Sequence, residues 1–411
     1  MLTEEQNEAL KPGPLDGIRV VEYGVFHAGP GAGAILGDLG AEVIKIESGF
    51  GDPERYWTHV GGLDISAPNG QSLMFEVSNR NKQGIHLDIR SKKGREVFDR
   101  LIAGADVFLT NLRKSTKEEK GLDYHTLCRV NPRIIHASVS GYGTEGPMSN
   151  IGAFDPMGQA RSGMMFLNDP DNPSLIHLAI LDQATAIAFS HGIVTALFVR
   201  ERTGRGQEVH ASLYSTGLWL LYANVMTTSI LGINPSISWN RPRNSPLRNS
   251  YRCSDGKWLI GVHHPEEKYW APFCELTGQT HLLDDSRFAD DAGRAAHSAE
   301  LVEIFDAVLA TRTRDAWMEI FPKHGLMFCP VMRLEEVLDD PQALSNRYIT
   351  EFDHPSLGRM KIPGYPIHFS ACRAGTRTSA PAVGEHTDRI LSDLGYEAAE
   401  IEKLRQAEVV R

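Results

Sequence analysis

Short apolar runs of strand length alternate with segments of helical periodicity over the first 140 residues. The runs predict strands at Gly17–Tyr23, Ala41–Glu47, Gln83–Asp88, Asp106–Thr110 and Ile134–Ser140. Between them, charged and apolar residues recur at helical spacing, most clearly over 91–103 and 117–130. Strands that alternate with helices predict a doubly wound α/β domain with a parallel sheet and right-handed crossovers.

A further helix is predicted after Asp182. The run Ser174–Leu181 has the composition of a strand, and Gln183–Arg200 is a long apolar segment. Aspartate is a favoured helix N-cap, so the simplest role for Asp182 is to cap this helix. The alternative is a nucleophilic carboxylate in the positive field of a helix N-terminus.

The character of the chain changes near residue 234. Residues 234–252 are rich in Pro, Asn, Ser and Arg, which indicates a linker or mobile loop. Strand-like and helical segments of a smaller α+β domain follow, and the chain ends in two short helices separated by Gly395. We therefore expect a large α/β domain over 1–215, a linker over 216–238, a small α+β domain over 239–330, a linker over 331–350, and a segment over 351–411 that returns to the large domain.

Composition excludes several classes of protein. The 411 residues include 42 basic and 52 acidic side chains, a net charge of −10, which disfavours nucleic acid and anionic membranes as partners. The five cysteines have no metal-ligand spacing, so we expect reduced thiols in a cytoplasmic protein and no metal site. The N-terminus is polar and no apolar run approaches the roughly 18 residues of a membrane span, so neither a signal peptide nor a span is expected.

A glycine-rich turn after the first predicted strand has three interpretations. Gly29, Gly31 and Ala34 match the G-x-G-x-x-A fingerprint of NAD enzymes, and Glu47 ends the second strand, where a ribose-binding acid would lie. However, Pro30 separates the two glycines. Close packing of helix on strand is therefore a simpler reason for the glycines, and binding of another nucleotide-like ligand such as coenzyme A is the third possibility.

Nine strings, taken together and in order, resemble one family. They are LDGIRVVEYGVFHAGP, LGDLGAEVIKIE, SNRNKQGIHLDIRSKKGREV, ADVFLTN, NPRIIHASVSGYGTEGP, FDPMGQARSG, RTGRGQEV, FCPVMRLEEVLDDPQ and VGEHTDRILSDLGY. The chain resembles the class III coenzyme A transferases, the family of formyl-CoA transferase, carnitine CoA-transferase and α-methylacyl-CoA racemase. The resemblance implies a Rossmann-like large domain, a smaller α+β domain and an interlocked dimer, either a homodimer or a heteromer of paralogous subunits.

The resemblance also implies a catalytic aspartate. Asp182 fits because it follows QARSG at 159–163 and precedes the long helix, whereas Asp169 and Asp171 lie in a turn-like NDPDNP stretch. Asp155 aligns with an acid that orients the nucleophile in some relatives, although a helix cap is an equally good reason for it. Family racemases carry a His where this chain has Phe154, so the resemblance implies CoA transfer rather than racemisation.

For coenzyme A, which would be a substrate and not a permanently bound cofactor, the resemblance points to four segments. They are His27 and Ala28; Leu87, Asp88, Ile89 and Arg90; Asn111, Leu112 and Arg113; and Ala153 with Phe154. Arg90 and Arg113 suit phosphate groups. Two family arginines have no counterpart here. Ser48 occupies the position of the first, and the position of the second, near Glu119, is acidic in this chain, so Lys117 or Lys120 could supply the missing charge.

The substrates are the least determined feature. Arg241, Arg243 and Arg248 in the 234–252 segment suit an anionic acid, and nearby aromatics (Trp219, Tyr222, Trp239 and Tyr251) could line a pocket or belong to the core. Succinyl-CoA as donor and a substituted succinate as acceptor is the leading prediction. A 2-hydroxy acid, bile acid or carnitine-type acceptor, an NAD(P) oxidoreductase, and a non-catalytic subunit of a heteromeric transferase stay open as alternatives.

Overall fold

The computed structural model describes residues 11–177, 179–233, 235 and 241–411, which form two compact units. The first unit comprises Met1–Ser236 and Arg347–Arg411, and the second comprises Ile237–Asn346. The strands are β1 Arg19–Glu22, β2 Glu42–Glu47, β3 His59–Val60, β4 Leu63–Asp64, β5 Lys82–His86, β6 Val107–Thr110, β7 Ile135–Ser140, β8 Gln207–Ser212, β9 Ser250–Arg252, β10 Trp258–Gly261, β11 Phe328–Val331, β12 Ile349–His354 and β13 Gly358–Pro363.

The α-helices are named in the same way. They are α1 Ala28–Asp38, α2 Leu73–Asn79, α3 Lys92–Ala103, α4 Lys114–Glu119, α5 Tyr124–Val130, α6 Asp155–Ser162, α7 Ile180–Thr203, α8 Leu213–Leu220, α9 Tyr222–Leu231, α10 Glu267–Leu276, α11 Asp291–Ala296, α12 Ser298–Leu309, α13 Arg314–Ile320, α14 Leu334–Val337, α15 Pro341–Ser345, α16 Thr387–Asp393 and α17 Ala398–Gln406.

A six-stranded parallel sheet organises the first unit. Its strand order is β5-β2-β1-β6-β7-β8, and Val20 of β1 pairs with Val43 of β2 on one side and Val107 of β6 on the other. One face packs against α3, α16 and α17 through residues such as Phe98 and Leu391, and the other packs against α1 and α7 through Leu36 and Phe189. Burial on both faces explains the almost continuous apolar runs of the strands and confirms the predicted doubly wound fold.

The strand order reverses between β1 and β6. The chain passes from β1 outward through β2 to β5, then returns to place β6 on the other side of β1. The loops that follow these two strands therefore diverge and leave a crevice at the carboxyl edge of the sheet. This is the position where open α/β sheets bind their ligands.

A cluster of buried charges lies beneath this crevice. The Lys45 ammonium group lies 3.1 Å from the Glu22 carboxylate and 2.9 Å from that of Asp52, and Lys82 lies 2.7 Å from Glu22. Lys45 also donates to the carbonyl of Gly24, where the chain leaves β1. The cluster ties the ends of β1 and β2 to the loop that follows β2.

Four predicted segments differ from the structure. Residues 174–177 form no strand, because Ser174 donates to the carbonyl of Met165 and Ile176 to the Gln159 side chain instead of to a sheet partner. The helix predicted over 117–130 is two helices, α4 and α5, since Asp123 caps a new helix by accepting from the amide of Thr126. The segment 216–238, expected as a linker, carries most of α8 and all of α9, and 331–350 carries α14 and α15.

The longest helix, α7, has the length and apolar composition of a membrane span, contrary to the expectation that no run would approach that length. Its Leu181, Phe189 and Ile193 are buried in the fold. Core helices of folded proteins have the same composition, so this helix is weak evidence for a span.

The second unit has its own sheet and core. Strands β9, β10 and β11 form an antiparallel sheet in the order β11-β10-β9. Aromatic side chains dominate the core, where Phe273 stacks on Phe305 and Phe321 stacks on Phe328, each at 4.4 Å between ring centroids. An independent core of this kind agrees with the predicted smaller α+β part of the fold.

Candidate active site

The crevice between β1 and β6 is closed at its base by Asn111, which follows β6. Its side-chain oxygen accepts from the amide of Val25 at 3.0 Å, and its nitrogen donates to the Val25 carbonyl at 2.6 Å. The paired bonds fix the loop after β1 relative to β6. The path of residues 25–28 is therefore set by tertiary contacts.

Phe26 occupies the tip of this loop in a left-handed conformation with φ 59°. A bulky residue rarely adopts this region, and such strain concentrates at functional sites. The Phe26 amide donates to Asp52 at 3.1 Å. Its ring makes edge contacts with Trp57 and Phe154, with centroids 5.9 Å and 5.2 Å apart. The buried charge cluster thus holds an aromatic wall in place through Asp52.

Asp182 lies in the first turn of α7 as its third residue, and not at the N-cap as the simpler sequence interpretation expected. The N-cap is Ala179, which has φ 63° and no side chain able to cap. Asp155 supplies the cap from the start of α6: one of its oxygens accepts from the amides of Leu181 at 2.6 Å and Asp182 at 3.0 Å. Asp155 therefore caps α7, 25 residues further along the chain, and does not cap its own helix, whose N-cap is Phe154.

The other oxygen of Asp155 is also bonded. It accepts from the Gln159 side chain at 2.6 Å, and the same Gln159 nitrogen donates to the carbonyl of His177. Gln159 thereby fixes both Asp155 and the chain that leads into α7. The position of the Asp182 backbone is set by this group of contacts.

The Asp182 carboxylate itself accepts no hydrogen bond and forms no ion pair with any residue that the structure describes. Burial, and in second place the negative charge of Asp155, raises the pKa of Asp182 to about 7. A carboxylate without hydrogen-bond donors keeps its electron density available and is a stronger nucleophile than a solvated one. The environment of Asp182 is thus suited to covalent chemistry near neutral pH.

Two cavities meet at Asp182. The larger, of about 510 Å³, is lined by Phe26, Pro53, Tyr56, Trp57, Phe154, Asp155, Pro156, Ala179 and Asp182. The smaller, of about 290 Å³, is more polar and is lined by residues that include Asn111, Arg113, Ser140, Ser149 and Gly152. Phe26, Phe154 and Asp182 border both cavities, so a group bound in either one reaches the same carboxylate.

The smaller cavity collects most residues that the resemblance assigned to coenzyme A. His27, Ala28, Asn111, Leu112, Arg113, Ala153 and Phe154 all line it. The Arg113 side chain is exposed and lies over Gly152, where a Cβ atom would approach its guanidinium to 2.7 Å. The described residues provide it with no hydrogen-bond or ion-pair partner, which leaves its charge available to an anion.

The segment Leu87–Arg90 lines neither cavity. Leu87 and Ile89 are buried in the core beneath α3, and Arg90 is an exposed side chain paired with Asp88 at 2.8 Å. Sequence cannot distinguish this arrangement from a binding loop, because both place alternating apolar and charged residues after a strand. Lys117 and Lys120 also lie outside the lining of both cavities.

His27 is buried, and both nitrogens of its ring have side-chain partners. Its Nδ1 lies 2.7 Å from the Ser78 hydroxyl and its Nε2 lies 2.8 Å from the side-chain oxygen of Gln183, the residue after Asp182. Burial lowers the pKa of His27, so the ring is neutral at pH 7 and Nε2 can donate to Gln183. The ring fixes the start of α7 against the loop after β1.

Sequence reasoning missed four residues at this site: Tyr56, Trp57, Ser78 and Gln183. The first two follow GDP in the loop after β2, and the run of aromatic residues in an otherwise polar loop was the available signal. Nothing local marks Ser78 or Gln183, because their role depends on contacts with His27.

Asp169 and two of the three substrate arginines have other partners. Asp169 accepts from the amides of Asp171 and Asn172 in a turn, as its Pro- and Asn-rich surroundings predicted. Within the second unit, Arg241 pairs with Asp306, and Arg248 lies 3.5 Å from Glu266. Arg243 is exposed, Tyr251 is core, and Trp239 lies outside the described residues.

The glycines of the dinucleotide fingerprint have a packing role. A Cβ atom on Gly29 would approach the Asn111 side chain to 3.2 Å, and one on Gly31 would approach Ala186 of α7 to 3.2 Å. Glu47, the supposed ribose ligand, accepts from the Arg55 side chain and from the amide of Asp52. Both features are explained without a dinucleotide.

Comparison with known proteins supports one family. The model of CoA-transferase family III matches residues 15–387. The chain is 31% identical over 401 residues to (R)-2-hydroxy-4-methylpentanoate CoA-transferase of Clostridioides difficile, covering 97% of this chain and 99% of the relative. It is 32% identical over 386 residues to succinyl-CoA–D-citramalate CoA-transferase of Chloroflexus aurantiacus, covering 93% and 94%.

A solved structure has the same fold. The crystal structure of a CAIB/BAIF family protein from Brucella suis is 31% identical, with a TM-score of 0.82, and the match covers 93% of this chain and 100% of that one. The family model, the relatives and the neighbouring structure agree over nearly the whole length, and the chain belongs to CoA-transferase family III.

Proposed function

We propose that this enzyme transfers coenzyme A between carboxylic acids with Asp182 as the covalent nucleophile. One observation supports the proposal above all others: the Asp182 carboxylate has no partner among the described residues and stands where two cavities meet. A transferase of this kind needs a carboxylate that both the thioester and the free acid can reach, and a second space for the coenzyme.

The reaction would proceed in four steps that conserve all atoms. An oxygen of Asp182 attacks the thioester carbonyl of the donor; a C–O bond forms, the C–S bond breaks, and CoA thiolate leaves. The thiolate attacks Cγ of the aspartyl anhydride and expels the donor acid, which leaves an aspartyl-CoA thioester. The acceptor carboxylate attacks this thioester and releases the thiolate, which finally takes the acceptor acyl group and frees Asp182.

Asp155 would orient the nucleophile without reacting. Its two oxygens already accept from Gln159, Leu181 and Asp182, so they hold the first turn of α7 still while the Asp182 side chain changes from carboxylate to anhydride to thioester. A fixed first turn lowers the cost of bringing the reacting atoms together. Asp155 is in this proposal a positioning residue.

Coenzyme A would occupy the smaller cavity. The unpaired Arg113 guanidinium suits a phosphate or pyrophosphate group, and Asn111, His27 and Ala153 form further parts of the cavity's lining. We assign the distal, nucleotide end of the coenzyme to Leu87–Arg90, since β5 ends at the same carboxyl edge of the sheet as β1 and β6.

The test of this proposal is to capture the intermediate. The enzyme is incubated with a panel of acyl-CoA donors (acetyl, succinyl and 4-methylpentanoyl) and then treated with hydroxylamine, and peptides are mapped by mass spectrometry. We expect a hydroxamate on the peptide that contains Asp182. A hydroxamate on another residue, or none with any donor, contradicts the proposal and would favour a non-catalytic subunit.

Racemisation is the alternative chemistry in this family, and Phe154 argues against it. A racemase needs two opposed bases, and the phenyl ring at this position can neither accept nor donate a proton. We expect no deuterium at the α-carbon of a 2-methylacyl-CoA in deuterated water. Incorporation at a rate near that of CoA exchange would reverse the choice.

The oligomeric state of the enzyme is a separate proposal. Helices α8 and α9 carry several exposed apolar side chains, and Trp219 and Ile230 are each 71% exposed. Such a surface on a folded unit indicates a protein partner. We propose a dimer in the cytoplasm, where the five free cysteines would stay reduced. Mass photometry of the purified chain alone distinguishes a homodimer from a subunit that needs a paralogue.

The acid pair predicted from sequence, succinyl-CoA and a substituted succinate, has support from the Chloroflexus relative, whose name includes succinyl-CoA. The Clostridioides relative instead acts on a branched 2-hydroxy acid, as its name states. Two of the three arginines assigned to an anionic acceptor have partners inside the second unit. The lining of the larger cavity is therefore the better guide to the acid.

A further inference from the structure

We infer that the acids exchanged at Asp182 are monocarboxylic acids with an apolar body, aliphatic or aromatic, and that the aromatic wall of the larger cavity selects them. This inference rests on the proposed function of Asp182 and names the substrate class of the same site. It differs from the dicarboxylic acid that the sequence favoured.

The lining of the larger cavity is mostly apolar: its charged side chains are two aspartates, and the Tyr56 hydroxyl donates to the Phe50 carbonyl. Phe26, Tyr56, Trp57 and Phe154 supply aromatic rings, and the described lining contains no lysine, arginine or histidine. Its volume of about 510 Å³ is within the range of small-molecule sites. The cavity can therefore remove an apolar group from water, but its described lining provides no cation to pair with a second carboxylate.

The local electrostatics point in the same direction. A dicarboxylic acid that presents one carboxylate to Asp182 would bring its other carboxylate into a cavity that Asp155 already makes negative. The amides of Leu181 and Asp182, which could otherwise bind an anion at the start of α7, are occupied by Asp155. An unpaired charge in apolar surroundings is strongly disfavoured.

The wall is also held rigidly. Phe26 contacts the rings of Trp57 and Phe154 edge-on, and its backbone is fixed by Asp52 in a conformation that phenylalanine seldom adopts. Phe154 as a residue is nonetheless 49% exposed, so its ring offers apolar surface to a ligand. A preformed aromatic wall with exposed faces suits a flat or branched hydrocarbon group.

The contrast with the smaller cavity supports this division. That cavity contains the unpaired Arg113 and the hydroxyl-bearing residues Ser140 and Ser149, as an anionic, polar coenzyme requires. Asp182 thus stands between a polar space and an apolar one. The two ends of an acyl-CoA with an apolar acyl group match these two spaces.

Isotope self-exchange tests the inference without knowledge of the natural substrate pair. Each acyl-CoA is mixed with its own ¹³C-labelled acid, and label in the thioester is followed by mass spectrometry for 4-methylpentanoate, 3-phenylpropanoate, succinate and glutarate. We expect kcat/KM for the two apolar acids to exceed that for the dicarboxylic acids by about 100-fold. Along the series from propanoate to hexanoate, each methylene group should raise kcat/KM about fourfold.

The outcomes separate the inference from the proposed function. Exchange of dicarboxylic acids at equal or higher kcat/KM, with a hydroxamate at Asp182, overturns the inference and leaves the function intact. Exchange of none of the acids, without a hydroxamate, overturns both.

Variants of the wall give a second test. Trp57→Ala and Phe154→Leu should each lower kcat/KM for 3-phenylpropanoate about tenfold, mainly through KM, with a smaller change for propanoate. Phe50→Ala is the matched control, because this ring is 86% exposed in the same loop and lines neither cavity. An equal loss for both acids in the wall variants, or the same loss in the control, contradicts selection by the wall.

Discussion

Two groups of buried charge lie at the carboxyl edge of the sheet, and they are built in opposite ways. In the cluster beneath the crevice, each carboxylate meets an ammonium group: Glu22 contacts Lys45 and Lys82, and Asp52 contacts Lys45. At the start of α7 none of the described residues places a cation, and Asp155 accepts from neutral N–H donors. Asp182 is left without any donor among the described residues.

The pKa values follow from this difference. Burial alone would lower the pKa of Lys45, but Glu22 and Asp52 outweigh it and raise the pKa, so the ammonium group stays charged. Burial raises the pKa of Asp182 to about 7, and Asp155 adds to the shift. The charges of Glu22 and Asp52, which hold these loops together, are paired, whereas the charge that we propose to react is left unpaired.

Removal of the unpaired Asp182 carboxylate should have the largest effect of the four substitutions, and the effect is on the rate of CoA exchange. Asp182→Ala is expected to lower CoA exchange on the order of 10⁴-fold, because no other carboxylate can form the covalent intermediate. Mass spectrometry of exchanged acyl-CoA measures the rate. Circular dichroism and calorimetric CoA binding should match the parent enzyme, and activity above a few per cent would exclude Asp182 as nucleophile.

Loss of one partner in the paired cluster should affect stability instead. Lys45→Met leaves the carboxylates of Glu22 and Asp52 buried beside an apolar side chain, and a loss of about 3–5 kcal/mol is expected. Urea unfolding monitored by circular dichroism measures it. Arg19→Met is the control, since the Arg19–Glu42 pair is solvent-accessible and should cost below about 1 kcal/mol. Equal losses would mean that burial of the cluster has no energetic weight.

The unpaired carboxylate should itself reduce stability. Folding raises the pKa of Asp182 from its ordinary 3.8 to about 7, so its ionised form is disfavoured in the folded state. The penalty is nearly absent below pH 4, grows as pH rises, and is complete above about pH 7. Asp182→Asn should therefore stabilise the protein on the order of 2 kcal/mol at pH 8, and hardly at all at pH 4. Thermal melts at both pH values measure the difference, and a destabilised Asn variant at pH 8 would contradict it.

The smallest expected effect comes from Asp155→Asn, which tests how the charge of Asp155 influences Asp182. Asp155→Asn weakens the cap of α7, at about 1 kcal/mol. It also removes a charge that raises the pKa of Asp182, so the pH dependence of hydroxamate formation should shift to lower pH. Asp123→Asn, which weakens the equivalent cap of α5, should cost similar stability without moving the pH profile. A shift in both variants would assign the effect to helix fraying.

Much of the fold could be predicted from local pattern. Each strand of the parallel sheet is a short apolar run, because both of its faces are covered by helices, and the helices between them show their own periodicity. The exceptions occurred where a side chain replaced a backbone partner. Residues 174–177 have strand-like composition, but Gln159 takes the hydrogen bond of Ile176 that a neighbouring strand would have taken.

The residues of the site also divide into those that the sequence indicated and those that it did not. By resemblance, the sequence pointed to Asp155, Asp182, His27 and Arg113, and these four residues do come together around the two cavities. The roles of Tyr56, Trp57 and Gln183 depend on contacts with residues distant in sequence, so no local pattern indicated these roles.

The sequence by itself determined the alternation of strand and helix and the identity of the acid in the first turn of α7, because these depend on residue types and spacing along the chain. The tertiary structure decided which groups that acid meets. Asp155, from an earlier helix, takes the first amides of α7, aromatic rings from three loops form the wall, and no cation approaches Asp182 among the described residues. Hydrogen-bond partners, burial and electrostatic potential are sums over neighbours in space, and that neighbourhood exists only once the chain has folded.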